Sequence, residues 1–213
     1  MYLPRHFEQT DPAALAALMR AHPLATLVRQ TPDGGLTADH VPLELHDAGP
    51  PEGWILRGHV ARANPLWQQA DGRPVLAVFQ GGEAYVSPNA YPSKAEHGKV
   101  VPTWNYAVVH AHATLRAVDE APWLHALVQR LTDHHEAVHE AARGATPWQV
   151  ADAPDDYVQQ MLRAIVGIEL AVTRLVGKWK VSQNRSAADR AGVAARLAQG
   201  NEAARAVAEM VPR

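Results

Sequence analysis

The segment HEAVH, from His135 to His139, contains the residue types that bind zinc and catalyse hydrolysis. On a helix, two histidines at this spacing can bind one metal ion while the glutamate between them acts as a general base. A catalytic zinc also needs a third protein ligand and an open position for water. The extended motif would require glycine where Ala142 stands, and the next candidate carboxylate, Glu169, lies on a predicted strand. We therefore favour an amphipathic helix with histidines along one edge and no metal over a zinc hydrolase.

The segment HVARANPLW contains the groups that bind an anion. A predicted strand ends at His59, and a short helix is predicted to begin at Asn64 and Pro65, where free backbone N–H groups and a partial positive charge are expected. Arg62 adds a guanidinium that suits phosphate oxygens, and His59 can donate another hydrogen bond. We expect a phosphate site here; the alternative is that Arg62 is a solvated loop residue and Asn64 only caps the helix.

Two further segments combine flat side chains with amides and cations. VPTWNY opens a long predicted strand, and GKWKVSQNR places three cations around a tryptophan. A planar ligand that carries a phosphate needs surfaces to lie against, amides for its edge and cations for its charge. The alternatives are an aromatic cluster at the end of a barrel and an ordinary basic strand edge.

The composition limits the possible functions. The chain has 213 residues, 47% of them hydrophobic, and a net charge of −2, so no strong field attracts nucleic acid or anionic membranes. Without cysteine, disulfides, thiolate nucleophiles and cysteine-bound metals are excluded. The first residues have no apolar run long enough for a signal peptide or a membrane span, which predicts a cytoplasmic protein. The high number of histidines, 12, makes an accidental HEAVH match easier.

The hydrophobic pattern predicts mostly antiparallel strands with a few helices. Asp11 and Pro12 should begin a helix that ends at Pro23, and a strand with its core-facing residues at Ala107, Val109, Ala111, Ala113 and Leu115 should follow later. Strands are expected at 24–29, 36–45 (apolar at Leu36, Ala38, Leu43 and Leu45), 54–59, 74–81, 83–88, 101–118 and 166–181. Helices are expected near 64–70, at 121–142 (stripe Leu124, Leu127, Leu131 and Val138), 154–165 and 186–210, the last broken near Gly200. We expect loops at 46–53 and 89–99, and a Gly81–Gly82 hairpin. Five to seven strands of this kind suggest a small barrel with peripheral helices.

Four stretches together resemble the PaiB-type family of FMN-binding proteins, often called negative transcriptional regulators. They are MYLPRHF, GHVARANPLW, VPTWNYAVVHAHA and IVGIELAVTRLVGKWKVSQNR followed by DRAGV, and they extend from residue 1 to about residue 193. This family belongs to the FMN-binding split-barrel class, with the pyridoxamine phosphate oxidases. The resemblance implies a single domain over 1–213: a six-stranded antiparallel split β-barrel with a helical insert at about 121–163 and a helical tail at about 186–213. It also implies a homodimer with FMN at the subunit interface.

The resemblance further implies roles for individual residues. The strand at 38–43 would run along the isoalloxazine ring, closest at His40, Val41 and Pro42. The phosphate and the ribityl chain would be held by His59, Val60, Ala61, Arg62 and Asn64. The flavin or substrate side would be lined by Thr103, Trp104, Asn105 and Tyr106. The other subunit would contribute Lys180, Gln183 and Arg185.

Two functions follow from these expectations. One is a flavin-dependent redox protein, an oxidase or reductase of a small molecule, with His40, His110 and His112 as undecided candidates for a general base. The other is a transcriptional regulator that uses flavin as a sensor. The residues support DNA binding only weakly, because the tail segment SAADRAGVAARLAQG has few cations and much alanine.

Overall fold

The computed structural model describes residues 1–46, 53–140 and 143–213. The strands are β1 Glu8–Gln9, β2 Leu24–Gln30, β3 Leu36–Pro42, β4 Glu44–His46, β5 Ile55–Ala61, β6 Pro74–Val86, β7 Thr103–Val118 and β8 Ile165–Lys180. The α-helices are α1 Pro12–Ala21, α2 Leu66–Gln69, α3 Ser93–His97, α4 Ala121–His139, α5 Asp155–Arg163, α6 Ala187–Leu197 and α7 Glu202–Met210. Most of the predicted 46–53 loop and the last two residues of the predicted 121–142 helix lie outside the described residues.

The strands form one sheet in the order β3-β2-β6-β7-β8-β5-β4, and β1 also pairs with β8. Antiparallel pairing joins β2 to β3, β4 to β5, and β8 to both β5 and β1. The prediction of a mainly antiparallel β fold with helices is confirmed. Among the described residues the sheet has eight strands and is not closed, so the expected six-stranded barrel is not confirmed. One reason is that the predicted 36–45 strand breaks at Leu43, whose N–H donates to the Pro23 carbonyl at 2.9 Å.

The predicted hairpin at Gly81 and Gly82 is wrong, because β6 continues through both glycines. A methyl group on Gly81 would lie 3.0 Å from the Leu18 side chain of α1, and one on Gly82 would lie 3.3 Å from Val207 of α7. The two glycines therefore allow helices to approach the strand rather than turn the chain. This close approach is a tertiary requirement that the local sequence does not reveal.

The described chain divides into two compact units. The first unit comprises 1–22, 78–110 and 176–213, and the second comprises 23–77 and 111–175. Among the residues that the structure describes, no helix is long and apolar enough to cross a membrane.

The first unit is built around α1 and the two C-terminal helices. The Asp11 side chain caps α1 by accepting hydrogen bonds from Ala13 N and Ala14 N, as predicted. The core on β6 is closed by residues of β6, of the 90–91 segment, of α6 and of α7: Ala84, Val86, Ala90, Tyr91, Val193, Leu197, Val207 and Val211. The predicted 89–99 loop instead contains α3, because Ala90 and Tyr91 are buried in this cluster and fix the segment.

The second unit has its core between the sheet and α4. Leu124 and Leu127 are fully buried on this helix, but Val138 is 52% exposed, so the predicted apolar stripe ends before the histidines. On β3, Leu36 and Ala38 are exposed whereas Val41 is buried, so the inward face of that strand is shifted from the predicted one. The inward positions predicted for the long strand are confirmed, because Ala107, Val109, Ala111, Ala113 and Leu115 are all buried; Val108, on the other face, is buried as well.

Candidate functional site

In the second unit, the end of β3 lies against β5. A methyl group on Gly58 would lie 2.7 Å from the Pro42 carbonyl oxygen and 3.3 Å from a methyl of Val41, so only glycine permits this approach. The predicted segments 40–42 and 59–64 are therefore neighbours. His40, Pro42 and Ala61 are exposed, whereas the side chains of Val41 and Val60 are buried in the core. The two valines can contact a ligand only through their backbone.

Asn64 connects β3 to the short helix α2. Its amide nitrogen donates to Asp39 Oδ1 at 2.7 Å, and its carbonyl oxygen accepts from Leu66 N at 2.9 Å. Asn64 thus accepts a hydrogen bond from the first residue of the helix, although the N-cap position itself is Pro65 rather than the predicted Asn64. The helix has only 4 residues, however, so it lacks the aligned peptide dipoles on which the predicted positive helix end depended.

A buried cation that the sequence did not single out lies next to Asn64. Arg29 is 6% exposed; its Nη1 donates to Gln69 Oε1 at 2.8 Å, and its Nε lies 3.9 Å from Asp39 Oδ2. That Nε has no hydrogen-bond partner among the described residues. An incompletely satisfied buried guanidinium marks a place where a water or a ligand oxygen is expected.

Arg62 does not present a free guanidinium. Its two terminal nitrogens donate to the Asp119 carboxylate at 2.7 and 2.6 Å, and other bonds reach the carbonyl oxygens of Arg163 (2.7 Å) and Ile165 (3.0 Å). The hydrogen bonds to Arg62 lower the pKa of Asp119, and they raise the pKa of Arg62. Arg62 can bind an external anion with its fork only if that anion replaces Asp119. The exchange is feasible because both side chains are well exposed, and exposed pairs of this kind are weak.

His59 has a polar atom that nothing in the described chain satisfies. Its Nδ1 is buried and has no hydrogen-bond partner among the described residues, and burial lowers the pKa of the ring. The imidazole is therefore neutral near pH 7 and has one nitrogen available for a ligand or a water.

A small cleft in the first unit is lined by four of the predicted site residues and by three further residues. The lining comes from the N-terminal segment, the start of β7 and the turn after β8: Phe7, Thr103, Asn105, Lys180, Ser182, Asn184 and Arg185. The Lys180 ammonium donates hydrogen bonds to the Thr103 hydroxyl and to the Trp104 carbonyl oxygen. The cleft is polar on most sides and carries two cations.

The turn that closes this cleft has an unusual backbone. Ser182 has a φ of 65°, in the left-handed region, although it is not glycine and is 4% exposed. Its hydroxyl accepts a 2.9 Å hydrogen bond from the buried amide of Asn105, and its carbonyl accepts from Arg185 N at 3.0 Å. Gln183 folds back onto Val181 N at 2.8 Å, so its amide supports the turn. Strained backbone of this kind is typical of functional sites.

Three cations lie in or around the cleft, and Arg185 interacts electrostatically with the carboxylate of Asp189 beyond ion-pair distance. Lys178 is 7% exposed; its Nζ donates to the Tyr2 carbonyl at 3.0 Å and lies 5.5 Å from the Tyr106 ring. Arg185 lies over the Tyr91 ring at 5.0 Å. Within the described residues, neither these two nor Lys180 forms an ion pair with a carboxylate. Burial, then Lys178 and Arg185, lower the pKa of Lys180. An excess of positive charge in a partly buried cleft favours an anionic ligand.

The residues of the HEAVH motif remain without a metal site in the part of the chain that is described. The His135 and His139 rings stack at 6.1 Å on α4. No third ligand joins them, because no group of three or more His, Asp or Glu residues is close enough to hold a metal ion among the described residues.

A family model described as "Putative FMN-binding domain" matches residues 1–174. The chain belongs to this FMN-binding family, and its cofactor is FMN. Among curated relatives, an uncharacterized protein of Emericella nidulans is 31% identical over 99% of this chain and 96% of its own length. The "Protease synthase and sporulation protein PAI 2" of Bacillus subtilis is 28% identical over the same shares of the two chains. The resemblance to the PaiB-type family is thereby confirmed.

Solved structures agree on the fold of this FMN-binding chain. The flavocytochrome Anf3 of Azotobacter vinelandii superimposes with a TM-score of 0.58 at 12% identity, covering 84% of this chain and 72% of the other. The conserved hypothetical protein Rv2991 of Mycobacterium tuberculosis gives a TM-score of 0.57 at 12% identity, covering 87% and 94%. At these identities the likeness concerns the fold alone, a split-barrel type of β fold with helices.

Proposed function

We propose that this FMN-binding protein is a flavin-dependent redox protein that acts on a small molecule. The observation that carries the proposal is the cluster of Lys178, Lys180 and Arg185, none of which forms an ion pair with a carboxylate among the described residues. Lys180 and Arg185 line a cleft with hydroxyl and amide groups. Such a cleft suits an anionic molecule with polar edges. The bound flavin supplies the redox chemistry, and the protein supplies binding, orientation and charge.

The residues of the second unit fit the other requirements of FMN. The unsatisfied Nδ1 of His59 and the amide of Asn64 are polar groups beside the exposed end of β3, and Arg62 can bind phosphate in place of Asp119. In this proposal the second unit holds the cofactor with His40, Val41, Pro42, His59, Val60, Ala61, Arg62 and Asn64. The first unit contributes Thr103, Trp104, Asn105, Tyr106, Lys180, Gln183 and Arg185.

We further propose that the working form is a homodimer, in which Lys180, Gln183 and Arg185 of one copy serve the cofactor held by its partner. The support is that a second subunit encloses more of a large planar cofactor than a small β fold does alone.

A flavin-responsive regulator that binds DNA is the alternative. The C-terminal helices α6 and α7 are its only structural candidate in the described chain, and their charges are mixed. Arg190 is also engaged, because it donates hydrogen bonds to the carbonyl oxygens of Arg185, Pro212 and Arg213. A gel-shift titration at two salt concentrations tests this alternative: a specific complex that weakens with salt would favour the regulator over the redox protein.

The redox proposal is tested with purified protein and FMN. We expect the holoprotein to lose its yellow colour when NADH or NADPH is added under argon, and Lys180→Gln to weaken FMN binding by about tenfold or more. Arg130→Gln is the matched control. It removes a cation of α4 that pairs with Glu44 of β4, and it should leave FMN affinity unchanged. A holoprotein that keeps its colour with both nicotinamide cofactors and a panel of other reductants would contradict the redox function.

A further inference from the structure

The first unit has a second concave surface, which we call the aromatic groove. Its walls come from β6, the start of β7, and the α6–α7 pair with its connecting turn: Glu83, Ala84, Tyr85, Trp104, Arg196, Leu197, Gly200, Asn201, Ala203 and Ala204. Tyr85 and Trp104 meet edge to face at 5.8 Å, and their side chains are 52% and 54% exposed. Two large aromatic residues in contact with each other and with water form an apolar patch that a protein surface rarely leaves uncovered.

The composition of the groove is that of a protein contact. Tryptophan, tyrosine and arginine are the residue types that dominate the binding energy of interfaces, and here Trp104, Tyr85 and Arg196 surround one depression. The remaining wall residues on α7 are alanines, which permit close approach of another backbone. The groove is wide and open, which suits a protein surface better than a small molecule.

The groove carries one acidic and one basic residue, so two copies of the groove can form ion pairs with each other. Glu83 stands on the β6 wall and Arg196 on the helical wall, and both are exposed. The side chain of Arg196 has no ion pair or hydrogen bond within the described residues. Glu83 accepts a 2.7 Å hydrogen bond from Gln80 at one oxygen and retains the other. In a dimer with a two-fold axis, each surface meets itself, so one copy's acid can meet the other's arginine twice.

The groove and the cationic cleft are built on the same strand, β7. Trp104 lies on β7 between Thr103 and Asn105, whose side chains line the cleft on the opposite face of the strand. A copy seated on Trp104 would therefore contact the strand that carries Thr103 and Asn105. We propose that a second copy of this chain docks on the aromatic groove, with Glu83 paired to Arg196 of the partner subunit. This inference rests on the homodimer proposed above and names its contact surface.

The test is a charge exchange followed by sedimentation velocity at micromolar concentration. We expect Glu83→Arg and Arg196→Glu each to weaken the dimer by about tenfold or more, because each places like charges opposite one another. The double variant Glu83→Arg/Arg196→Glu should recover most of the wild-type association. Arg205→Glu, on the neighbouring helix outside the groove, is the matched control and should leave the dimer intact. Far-UV circular dichroism confirms that each variant is folded.

The outcomes separate this inference from the broader proposal. Single variants that remain fully dimeric, or a double variant no better than the singles, would overturn the aromatic groove as the contact surface while leaving the dimer in place. A wild-type chain that sediments as a monomer and still binds FMN would overturn both the surface and the dimer but not the flavin site. Recovery by the double variant supports the surface, since a merely destabilising substitution would not be corrected by a second charge reversal.

Discussion

The guanidinium of Arg62 and the carboxylate of Asp119 face each other in a two-pronged pair, with N–O distances of 2.7 and 2.6 Å. A phosphate presents oxygens to an arginine in the same forked geometry. Asp119 thus occupies the position that the phosphate of FMN would take if Arg62 binds it. The carboxylate and the cofactor are then competitors for one cation.

This competition predicts the effect of Asp119→Asn. An amide is a poorer partner for a guanidinium than a carboxylate, so Arg62 should be released and FMN affinity should rise by about two- to fivefold, a modest change because the pair is exposed. Riboflavin, which lacks the phosphate, should bind the variant and the wild type equally. Quenching of flavin fluorescence measures both affinities. If wild type and variant bind FMN with equal affinity, Arg62 does not bind the phosphate of FMN.

His59 predicts an acid-dependent loss of stability. Because burial lowers the pKa of the folded imidazole below its ordinary value of 6.5, the unfolded chain takes up a proton first as the pH falls. Folding stability should therefore be unaffected by this group well above pH 6.5 and should decline as the pH falls through that value. In His59→Gln this part of the decline should be absent, as measured by urea denaturation at several pH values. His22→Gln, at the exposed end of α1, should retain the wild-type dependence; identical curves for the His59 variant would refute the assignment.

Much of the fold could be predicted where one periodicity dominates. On β7 every second residue from Ala107 to Leu115 is buried, and at α1 the Asp11–Pro12 pair marks the start of the helix through its own chemistry. The Gly81–Gly82 pair misled the prediction because a glycine pair signals a turn locally, whereas here it accommodates Leu18 and Val207 from helices distant in the sequence. Local signals are reliable until a tertiary contact overrides them.

The candidate site was harder to predict, because partners far apart in sequence decide it. The segment around Arg62 suggested a cation for phosphate, but nothing in it reveals that Asp119, 57 positions later, reaches the guanidinium. Arg29 and Asp39 looked like ordinary strand residues, although their burial beside Asn64 makes them part of the same network. The left-handed backbone at Ser182 also has no sequence signal, since serine rarely adopts it.

The buried pair of Asn105 and Ser182 predicts a measurable stability cost. Asn105→Ala leaves the Ser182 hydroxyl buried without its 2.9 Å partner, which should lower the free energy of unfolding by about 1–3 kcal/mol. The double variant Asn105→Ala/Ser182→Ala should cost less than the sum of the two single changes, because each single change already breaks the same bond. Urea denaturation supplies the four values of this cycle. Strict additivity would show that the two side chains do not stabilise each other.

Lys180 predicts stability that rises in alkali. Its folded pKa lies below the ordinary value of 10.5, so between the two values the unfolded chain holds a proton that the folded chain has released, and stability increases with pH across that window. Below the window the folded chain bears the full cost of a partly buried ammonium. The stability difference between Lys180→Met and wild type should therefore shift in favour of wild type as the pH is raised towards 10.5. Lys99→Met, at an exposed position, is the control and should show no such shift.

Adding FMN should reduce the pH dependence of the wild type, because a bound anion compensates the ammonium that burial disfavours. Parallel curves of stability against pH for wild type and Lys180→Met would mean that burial in the cleft does not disfavour the charged form of this lysine.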